Sequence, residues 1–310
     1  MTSITHFDVI VLGGGLAGLT AAITAAETGA TVCLLEIAPR ALRGGNTRHT
    51  RNLRPMHASG AFPMEGAYDF DEYLDDLLRV TAGDTNHALA ELTIRESNHA
   101  LTWLQEHGVA FQRPLSGTLH LGRTNAFFLG GGKALVNSLY RFAVQLGVHT
   151  IYEATDIALN ISGDRFVDLT YQQINNTHRI SGKSLVTAAG GFEANLDWLE
   201  EAWGPAAKNF LVRGTPYNKG DILRQLLDAG FKQIGDAAQC HAVAIDGRAP
   251  AYDGGIVSRV DSVPLGIVVN NEGKRFYDEG QDFWPKRYAI WGRLIAVSYT
   301  HLRAHETDSY

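Results

Sequence analysis

A chain of 310 residues with 45% apolar and 19% charged side chains has the composition of one large folded domain plus part of a second, which excludes a disordered polymer. Its net charge of −6 offers no basic stripe for nucleic acid. The two cysteines, Cys33 and Cys240, lie far apart, and Cys33 sits in an apolar run, so they suit a reducing, cytoplasmic setting and exclude a disulfide framework.

The stretch from Val9 to Ala26 is apolar enough to imitate a signal peptide or a membrane span. No Lys or Arg precedes Arg40, however, and Gly13, Gly14, Gly15 and Gly18 interrupt the run, so it reads as strand, turn and helix rather than as a transmembrane segment. Phe7 to Leu12 is the strand, Leu16 to Thr28 the helix closed by Gly29, and Thr31 to Leu35 a second buried strand ended by Glu36. This βαβ unit implies a parallel sheet. Helices are predicted from Tyr68 to Val80 and from Asn86 to Glu106, the latter with an apolar stripe of Leu89, Leu92, Trp103 and Leu104. After Gly132 a further helix carries Leu135, Val136, Leu139, Phe142, Ala143 and Leu146 and stops at Gly147. Strands are predicted at Val148 to Tyr152, Arg165 to Tyr171 and Ser184 to Ala188, and a helix at Asp221 to Ala229. From about Ala244 short strands and loops suggest a new domain. The division is then 1–243, 244–297 and a tail, 298–310, that has neither periodicity nor core and reads as non-native sequence. The zinc-like spacing of His301 and His305 lies in that tail and is not taken for a metal site.

Gly13, Gly15 and Gly18 form a G-x-G-x-x-G fingerprint between a buried strand and a helix, with Glu36 at the end of the next strand. Gly13 permits the tight turn, Gly15 lets a pyrophosphate approach the backbone, and Gly18 lets helix and strand pack closely. The free amides and partial positive charge at the helix start attract phosphates. Glu36 would accept hydrogen bonds from ribose hydroxyls and repel a 2′-phosphate. FAD and NAD share this fingerprint. The run Arg43-Gly44-Gly45-Asn46-Thr47-Arg48-His49-Thr50-Arg51-Asn52 adds donors suited to a pyrophosphate and a flavin edge, with a solvated basic loop as the plain alternative. Gly130-Gly131-Gly132 and Ala188-Ala189-Gly190-Gly191 are two more glycine clusters at ligand-prone positions, each also readable as a mere turn.

Assembled, these residues resemble the flavoprotein family of fumarate reductases and succinate dehydrogenases, and within it the tricarballylate dehydrogenases. The stretches that carry the likeness are RGGNTRHTRNLR from Arg43, FFLGGGKALV from Phe127, AAGGFEAN from Ala188, QCHAVAIDGRAP from Gln239 and GKRFYDEGQDFWPKRYAIWGR from Gly273. The resemblance implies an α/β fold: a Rossmann-like FAD-binding domain in three layers (β/β/α) with an inserted α+β capping domain, here truncated because the relatives' C-terminal return to the FAD domain is not in this sequence. It implies FAD as cofactor, with Gly13, Gly15, Gly18 and Glu36 on the ADP half. Gly45, Asn46 and Thr47 would lie against pyrophosphate and flavin, Ala154–Thr155 by the adenine, and Gly190 and Gly191 beside the cofactor. Asn46 stands about where some relatives carry a flavin-linked histidine, so attachment here would be non-covalent. His241 resembles a histidine that binds a substrate carboxylate, and without the resemblance it reads as a structural residue, like His57, His99, His107 and His120. Arg287 is taken for the proton-transferring arginine, with Lys286 and Arg275 as alternatives and a surface bridge to Asp278 or Glu279 as the plain reading. The implied reaction is FAD-dependent dehydrogenation of a CH–CH bond in a small polycarboxylate, tricarballylate giving cis-aconitate. The implied partner is an electron acceptor, often membrane-associated. An NAD-linked dehydrogenase and a non-catalytic flavin-binding fragment are the rival readings.

Overall fold

A computed structural model of the chain describes residues 5–114, 121–238, 241–252, 260, 263, 266–270, 272–280 and 288–298. The first strand, β1 (Thr5–Leu12), leads through the glycine turn into α1 (Leu16–Glu27), and β2 (Val32–Glu36) follows, each within two residues of its sequence reading. The stretch that imitates a membrane span is therefore strand and helix, and no helix among the described residues is long and apolar enough to cross a bilayer. β3 (Asn52–Leu53), α2 (Phe70–Thr81), α3 (His87–Glu106), α4 (Leu121–Thr124) and β4 (Ala126–Phe127) form an excursion that returns to α5 (Gly131–Gln145). Then come β5 (His149–Tyr152), β6 (Thr155–Ser162), β7 (Arg165–Gln173), β8 (Asn176–Thr187), α6 (Leu196–Trp203), α7 (Asp221–Asp228) and α8 (Trp291–Ser298).

One six-stranded sheet runs β5-β2-β1-β8-β7-β6. Its first four strands are parallel, while β6, β7 and β8 form an antiparallel meander that shares β8. Side-chain alternation sorts β1 and β2 into two faces. Val11, Val32 and Leu34 join Leu19, Ile23, Leu135 and Leu139 of α1 and α5 in one core. Ile10, Leu12, Cys33 and Leu35 join Leu169 and Tyr171 of β7 and Ile222 of α7 in another. Meander, parallel sheet and helices are thus the three layers of the expected Rossmann-like α/β arrangement. Each such Leu or Ile buried contributes about 1.5–3 kcal/mol, and both faces of β1 and β2 are paid in this way. A third, smaller cluster gathers Ala244, Val263 and Trp291, with the Tyr277 ring edge-on to Trp291.

Several readings are corrected. α2 starts at Phe70 because the Asp69 side chain caps it, accepting from Glu72 N–H at 2.9 Å. Tyr68 instead bridges to His57 and buries its ring, donating to Asp76 at 2.9 Å. In α3 the buried face is Ala90, Ile94, Leu101 and Leu104, whereas Leu89 and Leu92 are 57% and 56% exposed. β8 begins eight residues before its predicted start at Ser184, and β6 is an additional strand whose half-buried Ile157, Leu159 and Ile161 alternate with exposed residues. The predicted histidine pair of the tail, with all of 299–310, lies outside the described residues.

Candidate active site

The carboxyl ends of β1, β2 and β8 meet at the glycine turn. Gly13 N–H donates to Leu35 O and Ala188 N–H to Leu12 O, both at 2.8 Å. Gly13 has φ +97, and a Cβ there would stand 2.4 Å from Ala188 O. A Cβ on Gly18 would stand 1.8 Å from Gly13 O, so helix and turn touch through that hydrogen. Gly15 differs: a Cβ there would make only ordinary contacts, 3.4 Å to Thr47 Oγ1 and 3.6 Å to Gly44 O. Its flank is open. No side chain of Gly15 can cap α1, and Thr47 Oγ1 accepts from Leu16 N–H at 2.9 Å. The remaining first-turn amides and the helix dipole make this end a seat for phosphate.

Glu36 stands beside the turn, 3% exposed. Its Oε1 accepts from Ala38 N–H at 2.9 Å, and its Oε2 from Gly44 N–H at 3.0 Å and the Tyr140 hydroxyl at 3.4 Å. The carboxylate is therefore already oriented by protein donors before any ribose reaches it. Tyr140, pushed to a higher pKa by burial, puts its hydroxyl where a Cβ on Gly14 would be, 1.8 Å away. That explains the middle glycine of the run Gly13–Gly15. Arg43 covers the Tyr140 ring at 4.2 Å and donates to the Tyr152 hydroxyl at 2.9 Å. Ala154 N–H donates to Glu36 O at 3.1 Å, which brings Ala154–Thr155 beside the acid, with the Thr155 side chain exposed.

After β2 the chain passes Gly44 (φ +106) into a 3-10 turn, Gly45–His49. There Asn46 Oδ1 accepts from Thr215 N–H at 2.9 Å, and Asn46 Nδ2 donates to Glu193 Oε1. Gly190 (φ +78) packs on Asn218, and Gly191 lies under Glu193 Oε2. The Gly130–Gly132 cluster is structural: a Cβ on Gly132 would stand 2.1 Å from Thr47 O, so α5 begins pressed against the 3-10 turn.

Beyond Asn46 opens a cavity of about 590 Å³, lined on its polar side by Asn46, His49, Glu193, Arg213 and His241 and on its apolar side by Phe210, Leu211, Ile245 and Ile295. α8 holds the His241 segment: Gly292 N–H donates to Ala242 O at 2.9 Å, and a Cβ on Gly292 would stand 2.6 Å from Ala242 C. Partial desolvation at the cavity wall, and then the charge of Arg213, hold the His241 imidazole below its usual pKa although the residue keeps an exposed edge, so it is neutral at neutral pH. Arg213 Nε is buried without a hydrogen-bond partner among the described residues. Arg287 and Lys286 lie outside the described residues. Arg275 donates to Glu279 at 2.6 Å and Asp278 at 3.0 Å, taking the surface bridge that was read for Arg287. His57, bonded to Pro55 O, and His107, stacked on Trp103 and bonded to Glu27, sit in structural roles away from the cavity.

The model of the family described as FAD binding domain matches residues 8–308. The chain belongs to that family. Vinyl phenol reductase of Lactiplantibacillus plantarum is 25% identical, over 90% of this chain and 58% of its own length. NADH:fumarate oxidoreductase of Klebsiella pneumoniae is 26% identical, over 88% of this chain and 29% of its own. This chain thus spans less than two thirds of either relative. The solved structure of 3-ketosteroid-Δ4-(5α)-dehydrogenase from Rhodococcus jostii RHA1 shares the fold, with a TM-score of 0.74 at 18% identity, over 96% of this chain and 65% of that one.

In this FAD-binding domain the cofactor is FAD, which decides between the two dinucleotides that share the fingerprint. The residues present fit it: the open flank of Gly15, the start of α1 where Gly15 supplies no side-chain cap, and the buried Glu36 make a cradle for an adenosine diphosphate half, and the Asn46 turn leads from there to the cavity. Sequence reasoning missed Arg213, Tyr140 and Asn218. Arg213 stands in a loop without periodicity, and Tyr140 lies one position off the predicted apolar stripe. Glu193, within the AAGGFEAN stretch, was legible as a residue but not as a lining group.

Proposed function

We propose that this chain is the FAD-holding part of an oxidoreductase that dehydrogenates a CH–CH bond of a small polycarboxylic acid, with tricarballylate going to cis-aconitate. The observation that carries this reading is the cavity in which Arg213 and a neutral His241 face the Asn46 turn. Arg213 offers a charged donor to one carboxylate, and its buried Nε has no other bond to give up. His241, held neutral, donates one ring hydrogen to a second carboxylate without adding a charge that would over-stabilise the bound acid. Together they stabilise the negative charge that develops when the proton α to a carboxylate is removed. Bound FAD supplies the acceptor for the hydride leaving the adjacent carbon. Arg287 is assigned the proton transfer on the family resemblance. Gly13, Gly15, Gly18 and Glu36 are assigned the ADP half, Thr155 the adenine side, and Gly45, Asn46, Thr47, Gly190 and Gly191 the pyrophosphate and ring. The proposed division keeps 1–243 as the FAD domain and 244–297 as part of the cap. An electron-accepting partner, membrane-associated in the family reading, would reoxidise the flavin, and the buried reduced Cys33 suits a cytoplasmic setting.

The test uses a full-length protein carrying this chain, loaded with FAD and freed of oxygen. Addition of tricarballylate bleaches the flavin band, and His241→Ala slows that bleaching. Bleaching by succinate instead shifts the substrate to a dicarboxylate, and no bleaching by any di- or tricarboxylate rejects the class. The apolar wall of Phe210, Leu211 and Ile245 favours one second reading, reduction of an unsaturated substrate with an apolar body, as the name of the Lactiplantibacillus relative suggests. Reoxidation of the reduced flavin by a vinyl phenol, with no response to carboxylates, would select it.

A further inference from the structure

Two of the described side chains lining the cavity carry a full charge, Arg213 and Glu193, and an acid is an odd companion in a pocket for anions. Its bonds show why it is held there. Glu193 Oε1 accepts from Asn46 Nδ2 and, at 2.9 Å, from Asn218 Nδ2, an acceptor role that suits the anion. Asn46 Oδ1 in turn accepts from Thr215 N–H at 2.9 Å, so both ends of that amide are fixed. One carboxylate thereby ties three segments: the Gly45–His49 turn, the loop after β8, and the 214–218 loop. Its other oxygen, Oε2, makes neither of these bonds and lies over Gly191, where a Cβ would come within 2.8 Å. The glycine leaves room for it.

We infer that Glu193 is a positioning residue that fixes Asn46 and also sets the charge balance of the cavity, disfavouring reduction of the flavin ring held there. The inference rests on the FAD reading above. Reduction adds negative charge to the ring, and a carboxylate in the same cavity opposes it, while Arg213 favours it. Gln at 193 keeps an oxygen for both amides and removes only the charge. Ala removes both.

The experiment loads the full chain with FAD and measures its dissociation constant and its midpoint potential by dye-equilibrated reduction. Glu193→Gln should bind FAD within about threefold of the parent chain and raise the potential. Glu193→Ala should raise it too and weaken FAD binding about tenfold or more, since two amide bonds are lost. An unchanged potential in Glu193→Gln overturns the electrostatic role, and undiminished FAD affinity in Glu193→Ala overturns the positioning role. Failure of the unsubstituted chain to take up FAD would instead bring down the cofactor assignment beneath both.

Discussion

Two successive glycines of the fingerprint should respond to the same substitution differently, one mainly in stability and the other mainly in FAD affinity. At Gly18 a methyl group would stand 1.8 Å from Gly13 O and 3.0 Å from Gly13 C, backbone atoms of a turn already pinned to Leu35 and Ala188. Neither side can yield without moving α1 off the sheet. Overpacking a rigid contact costs typically 1–3 kcal/mol and here more, because the overlap exceeds an ångström. Alanine recovers about 1 kcal/mol of helix propensity, leaving Gly18→Ala destabilised by about 2 kcal/mol or more. At Gly15, where φ is −75, the methyl meets nothing closer than 3.4 Å. Gly15→Ala should therefore cost only about 0.5–1 kcal/mol, as alanine is a poorer N-cap. The methyl would, however, fill the open flank assigned to the phosphates, so FAD affinity should fall about tenfold or more. Thermal unfolding followed by circular dichroism, paired with FAD titration by fluorescence, separates the two effects. A stable Gly18→Ala would refute the close helix-to-turn packing. A Gly15→Ala chain with parental FAD affinity would refute the assignment of that flank to the ligand.

Two further outcomes follow from perturbed groups. His241 is held below its usual pKa of 6.5, so it is neutral in both folded and unfolded chains above that pH and contributes no slope there. As pH falls below about 6.5 the unfolded chain takes up the proton first and stability is lost, and His241→Asn should flatten the Tm-versus-pH curve in that window; a curve with the same slope in both proteins contradicts the lowered pKa of His241. Burial pushes the Cys33 thiol up to about 12, so mass spectrometry should find the Cys33 peptide unalkylated at pH 8 until denaturant is added, and labelling in the native chain would contradict its place between sheet and meander.

Local chemistry made much of this protein readable in advance. The β1–α1–β2 unit, its glycine turn and Glu36 follow from an unbroken apolar strand, a helix of good formers and punctuation by glycine, all of which act over neighbouring residues. The same holds for α5 between Gly131 and Gln145. Where the outcome depended on which elements meet, the pattern misled. Leu89 and Leu92 of α3 read as core and face outward, because the helix turns Ala90, Ile94, Leu101 and Leu104 inward instead. Tyr140 lay outside the predicted stripe, yet it reaches through the helix layer to Glu36 and Gly14. The polar first half of β8 gave no strand signal of its own and is a strand because β7 pairs with it from Asn176 to Ser181. Residues 46, 193, 213 and 241 carry no shared spacing, and only the return of the segments after β8, α6 and α7 to the Asn46 turn makes them one cavity. Sequence alone determined the glycine turn with Glu36 beside it, the proposed dinucleotide cradle, since its amides and its acid come from one contiguous strand–turn–helix–strand segment. What stands opposite that cradle was decided by tertiary contacts between segments as much as 249 residues apart, from Asn46 to Ile295, and no local propensity encodes such a meeting.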